Sequence, residues 1–172
     1  MFDIKSNDIN GASKQYFVCH EKSHYKNNKL VLKKILNFEK SLKLTNEKTF
    51  KNFIKSINHS KNRLYGLLKK YKKNGKKIHC YGASTKGNVL LQYFNIDNKL
   101  VDFVAERNKS KFNLYTPGTN IKIILEVLSR FYRPDYYLVL PWHFKKEILS
   151  REKLMIKKGT KFIFPLPKLE IF

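Results

Sequence analysis

The stretch KKIHCYGASTKGNVLLQYF, Lys76 to Phe94, decides the fold. A short apolar run, KIHCY at 77 to 81, has the length of a buried strand. It enters a cluster of small and hydroxyl residues, GASTKGN, and leaves into a helical pattern, NVLLQYF at 88 to 94. The same alternation continues downstream. LVDFVAE at 100 to 106 reads as a strand, followed by the irregular loop RNKSKFNLYTPGTN. IKII at 121 to 124 is a third short strand, with a helix from Glu126 to Arg130. DYYLVLP at 135 to 141 reads as a strand, KKEILSREKLMIKKG as one helix ending at Gly159, and TKFIFPLP as a last strand. Short apolar strands separated by helices pair in parallel, which predicts the doubly wound α/β class.

Upstream of Gly75 the texture is helical. Phe50, Phe53, Ile54 and Ile57, then Leu64, Leu67, Leu68 and Tyr71, repeat at three-and-four spacing, so one long helix is expected. Thr45 or Asn46 is placed to cap it, Asn74-Gly75 to end it, and a shorter helix over Val31 to Ser41 precedes it. SKQYFVCH is a β-like run too small to stand alone and is expected to pair elsewhere; without such a partner, Tyr16, Phe17 and Val18 would present an open edge. The expected organisation is an N-terminal strand or arm over 1–28, a helical segment over 29–75 and a mostly parallel α/β domain over 76–172.

The chain has 172 residues, 42% of them hydrophobic, enough for one domain with a sizeable core. Its 36 Lys and Arg against 13 Asp and Glu give a net charge of +23. Such a surplus points to a polyanion. The lysines are scattered in pairs and arginine is scarce, which fits a solvated basic surface better than a built nucleic-acid interface. Cys19 and Cys80 lack metal-ligand spacing, and Cys19 with His20 and His24 leaves a fourth ligand out of view, so no metal site is expected. No export signal or apolar run of membrane-spanning length occurs, and the cytoplasm is the expected compartment.

In a doubly wound sheet, ligands sit at the carboxyl ends of the strands. The residues following the strands are therefore the candidates: Gly82, Ala83, Ser84, Thr85, Lys86, Gly87 and Asn88; then Glu106, Arg107 and Asn108, with Thr116, Pro117, Gly118 and Thr119; then Trp142, His143 and Phe144. The first group is no Walker loop, because Lys86 precedes the second glycine and Asn88-Val89 follows it. It is no dinucleotide fingerprint either, since Ser84 stands where backbone must approach closely. Small residues opening a helix still expose N–H groups to an anion, and Ser84, Thr85 and Lys86 add donors. Glu106 stands where such folds bind a ribose diol. His143 is a weak candidate base, with ligand contact or a structural role preferred. His59, His79 and Cys80 read as ordinary structural side chains.

YGASTKGNVLLQYFNI, VAERNKSKFNLYTPGT, PDYYLVLPWHFKKEIL and KFIFPLPKLEIF together resemble the C-terminal domain of the SAM-dependent C-methyltransferases that act on nucleotide-linked deoxysugars. The resemblance runs from about Asn7 to the end and implies a Rossmann-like domain holding a nucleotide diphosphate sugar. It implies that Gly82 to Asn88 cradle the pyrophosphate, that Glu106, Arg107 and Asn108 face the nucleoside, and that Thr116 to Thr119 and Trp142 to Phe144 close the same crevice. Glu106 stands where that family usually has aspartate, Asn120 where it has histidine and Lys122 where it has proline. SAM and zinc belong, by the same resemblance, to other domains of the complete enzymes, so no cofactor is expected here. The expected function is the substrate-binding part of a split or truncated C-methyltransferase, inactive without a separate SAM-binding chain. The rival expectation is a basic nucleic-acid-binding module.

Overall fold

A computed structural model describes all residues, Met1–Phe172, and divides into two compact units, Met1–Ser56 and Ile57–Phe172. In the first, β1 (Asp3–Asn7) and β2 (Ser13–Phe17) form an antiparallel hairpin, with Ile4 opposite Tyr16. The β-like run thus pairs with the chain's own first residues. β1 is hard to read from sequence because DIKSN carries a single apolar residue, Ile4, and that residue is the one buried. Phe2 stacks on Tyr25 with ring centroids 4.8 Å apart, and α1 (Lys29–Ser41) lies against β1. Helix α2 (Glu47–Lys73) starts as expected, the Asn46 side chain accepting from Lys48 N at 2.9 Å.

The second unit begins within α2, at Ile57. Its sheet has the order β5-β4-β3-β6-β7-β8, with β3 (Ile78–Tyr81), β4 (Phe103–Glu106), β5 (Ile123–Leu125), β6 (Tyr136–Val139) and β7 (Lys161–Phe164) parallel. Only β8 (Glu170–Ile171) is antiparallel, at the edge. The helices are α3 (Thr85–Phe94), α4 (Glu126–Phe131), α5 (Lys145–Arg151) and α6 (Lys153–Lys157). The doubly wound α/β class is what the structure shows.

Alternation along each strand divides the core into two layers. Ile78, Cys80, Val104, Leu138 and Ile163 face Leu64 and Leu68 of α2 and Leu90, Leu91 and Phe94 of α3. Tyr81, Tyr137, Val139, Phe162 and Phe164 face Ile148 of α5 and Met155 of α6. Burial on both faces is why these strands read as unbroken apolar runs.

Three elements differ from expectation. The chain turns at 98–100, with Leu100 and Val101 both donating to Asp97 O, so β4 starts only at Phe103. The expected single helix after Trp142 is two, broken at Glu152, whose carboxylate turns into the core. TKFIFPLP is not the last strand: Pro165 and Pro167 withdraw ladder donors, and the chain returns to pair β8 with β7.

Candidate functional site

Strand β3 has β4 on one side and β6 on the other, so the chain reverses its direction of winding at β3. That switch point opens a crevice at the strands' carboxyl ends. The turn after β3 enters it. Gly82 has φ +79, and a Cβ there would stand 3.1 Å from the Pro141 ring. Ser84 caps α3, its Oγ accepting from Gly87 N at 3.0 Å. A Cβ on Gly87 would lie 2.5 Å from Leu140 Cβ. Both glycines therefore serve the close approach of the turn and helix to the β6 segment.

Glu106 closes the turn from the side. Its Oε2 accepts from Ala83 N at 2.7 Å, and its Oε1 from Arg107 N and Asn108 N at 2.8 Å each. Burial alone would raise this carboxyl, but the Asn108, Ala83 and Arg107 N–H groups and the Lys111 charge outweigh it and hold it below the usual carboxylate range. Lys111 Nζ donates to Ala83 O at 2.8 Å, so the last residue of β4 and a residue of the loop after it clamp Ala83 through both its N–H and its C=O. The carboxylate expected on a ribose diol is thus turned inward on the protein's own backbone. Asn108 is likewise occupied, its Oδ1 accepting from Ser110 N and Ser110 Oγ.

The resulting cleft, about 430 Å³, is lined from the expected set by Gly82, Ala83, Ser84, Glu106, Arg107 and Phe144. Thr85 and Lys86 are exposed on the first turn of α3. Trp142 packs on both core layers. His143 lies against Phe144, the rings tilted and their centroids 4.3 Å apart, and its Nδ1 is buried without a partner, as is Asn88 Oδ1. Burial first and the Lys86 charge second push the His143 pKa down, favouring neutral imidazole.

Thr116, Pro117, Gly118 and Thr119 are not at this crevice. Gln92 Nε2 donates to Pro117 O at 2.8 Å, and Asn98 N to Thr119 O at 3.2 Å, which holds the turn beside the last turn of α3, at the amino end of the sheet. Thr116 Oγ1 and Thr119 Oγ1 bond each other at 2.7 Å, buried. The segment follows β4 in sequence but precedes β5, and the crossover has already returned to the far end.

Sequence reasoning missed Tyr81, Lys111, Glu126, Glu147 and Arg151, all in the cleft lining. Glu126 directly follows a strand, so the carboxyl-end rule could have found it; Arg151 gave no signal. Arg130 Nη2 holds Glu152 Oε1 at 2.6 Å and Glu126 Oε2 at 3.0 Å, and Arg151 Nη2 holds Glu126 Oε1 at 2.9 Å. Tyr81 OH donates to the buried Glu152 at 2.8 Å and also meets Arg151. Burial pushes the Glu126 carboxyl up, Arg130 opposes that, and Glu152 adds to it. No group of three His, Cys, Asp or Glu side chains is placed to hold a metal ion, Cys19, His20 and His24 included. No helix is long and apolar enough to cross a membrane.

These features define a doubly wound α/β domain with a capped helix N-terminus opening into the crevice at its switch point. The family model for the C-methyltransferase C-terminal domain matches residues 8–167, and the chain belongs to that family. It is similar to C-methyltransferase NovU of Streptomyces niveus, 26% identical over 166 residues. That match covers 96% of this chain and 39% of the relative's length.

Proposed function

We propose that this chain is the part of a C-methyltransferase that binds a nucleotide diphosphate sugar. The observation that carries the reading is the position of the α3 N-terminus, capped by Ser84 and opening into the crevice with Arg107 and Lys111 at its rim. Backbone dipoles and two cations converge there on one volume, the arrangement that receives a diphosphate. In this reading Ser84, Thr85 and Lys86 meet the pyrophosphate, Arg107 supplies a fork to a phosphate oxygen, and Phe144 packs against the base or sugar. Glu106 and Lys111 position the turn, and Lys111 also adds field.

Calorimetric titration with thymidine diphosphate and thymidine diphosphate sugars tests the reading. Saturable heat is expected, weakened about tenfold or more by Arg107→Ala or Lys86→Ala, the range of one lost charge-assisted contact. Absence of heat at millimolar ligand, with the chain folded, refutes it.

A further inference from the structure

A second cavity of this unit lies outside the cleft. It is a groove of about 1100 Å³ between α4 and α6, walled by Val127, Phe131 and Leu154 and edged by Arg130, Arg133 and Lys158. Val127 is 73% exposed, Phe131 77% and Leu154 72%. Small-molecule sites bury their walls around the ligand, whereas these side chains stand out into solvent. Bulky apolar anchors beside arginines have the make-up of a protein-docking surface.

Charge selects the occupant. Glu152 is the sole carboxylate in the groove lining; it is 2% exposed and already held by Arg130, Arg151 and Tyr81. Arg130 and Arg151 are further engaged by Glu126, but Arg133 and Lys158 make no ion pair within the chain. The groove therefore offers unneutralised positive charge beside apolar walls. A second copy of this chain is a poor match, because at +23, with 36 Lys and Arg against 13 Asp and Glu, the copies repel.

We propose that the α4–α6 groove docks an acidic partner protein, through a helix that presents apolar side chains flanked by carboxylates. Apolar contact with Phe131, Val127 and Leu154 supplies the affinity, and pairing with Arg133 and Lys158 sets which partner is accepted. The proposal stands whether or not the cleft binds a sugar nucleotide.

Fluorescence anisotropy with the full chain at physiological salt tests it. The probe is a short synthetic helical peptide with leucine on one face and glutamate on the other. Saturable binding is expected, weakened about tenfold or more by Phe131→Ser and by Leu154→Ser, as for central interface anchors. Lys69→Ser, on α2, leaves it unchanged, and a counterpart peptide with lysine for glutamate does not bind. Val127→Ser repeats the measurement should either first variant unfold. Equal affinity in the groove variants, equal binding of the lysine peptide, or no saturable binding overturns the proposal. So does tighter binding of a single-stranded oligonucleotide that Phe131→Ser abolishes, or self-association in sedimentation that the same variant abolishes.

Discussion

Gly87 shows how a ligand-like motif carries a packing demand. A methyl group there would overlap Leu140 Cβ at 2.5 Å, and both atoms belong to packed backbone-proximal positions that have little room to yield. Gly87→Ala is expected to cost about 1–3 kcal/mol of stability through overpacking, read as a lower midpoint in urea. Glu106 is the second such residue. Its three backbone partners lower its pKa, so its contribution is present above the ordinary carboxylate pKa and lost as pH falls through the depressed, folded-state value. Glu106→Gln leaves two acceptor sites of reduced strength against three N–H donors and is expected to cost about 1–3 kcal/mol near neutral pH. The loss should shrink in acid, where the wild-type carboxyl is protonated as well; a loss unchanged between neutral and acid pH would remove the charge from the account. Sequence reading placed both residues at the site but gave them to a ligand, because spacing does not show that Pro141, Leu140 and the Ala83 N–H stand in the way.

Among the elements, β3 is joined to α4 and β6 by a buried polar chain. His79 Nδ1 bonds Ser129 Oγ at 2.7 Å, and Ser129 Oγ bonds Tyr137 OH at 2.8 Å. Burial, the dominant cause, brings the His79 pKa to about 4, with Asp102 opposing and Lys72 and Lys77 adding. A histidine whose folded pKa lies below its unfolded value near 6.5 binds fewer protons folded than unfolded between those limits. Its contribution is therefore complete above about pH 6.5 and lost as pH falls toward 4, at most roughly 3 kcal/mol. Unfolding in urea at pH 7 and at pH 4.5 should show this loss in the wild type and a smaller one in His79→Gln. Most elements of the sheet domain were legible because runs buried on both faces and one-sided helices leave a period in the sequence. β1 and β8 left none: β1 is largely polar and β8 is only two residues long, and each is held by ladder hydrogen bonds and its neighbours rather than by an apolar stripe. The break at Glu152 was hidden too, since the demand for it comes from Tyr81 and Arg130, distant in sequence.

For the whole molecule, net charge and the crevice at α3 make separate predictions. A +23 surface attracts any polyanion at low salt, through counterion release that fades steeply as salt rises. A gel shift with single-stranded RNA is expected to show binding at low salt that is lost near physiological ionic strength, while a diphosphate ligand seated at α3 weakens far less. RNA affinity that persists at physiological salt would favour the nucleic-acid reading.

The sequence by itself determined the strand-turn-helix alternation, the doubly wound class and the family likeness. Each rests on local periodicity or on residues close together in the chain. Only the tertiary structure decided that Glu106 faces inward, that Thr116 to Thr119 sit at the amino end of the sheet, and that Arg151, Glu126 and Tyr81 meet beside the turn. Those facts depend on where each crossover returns and on which buried polar groups must find partners, and both are settled by long-range packing.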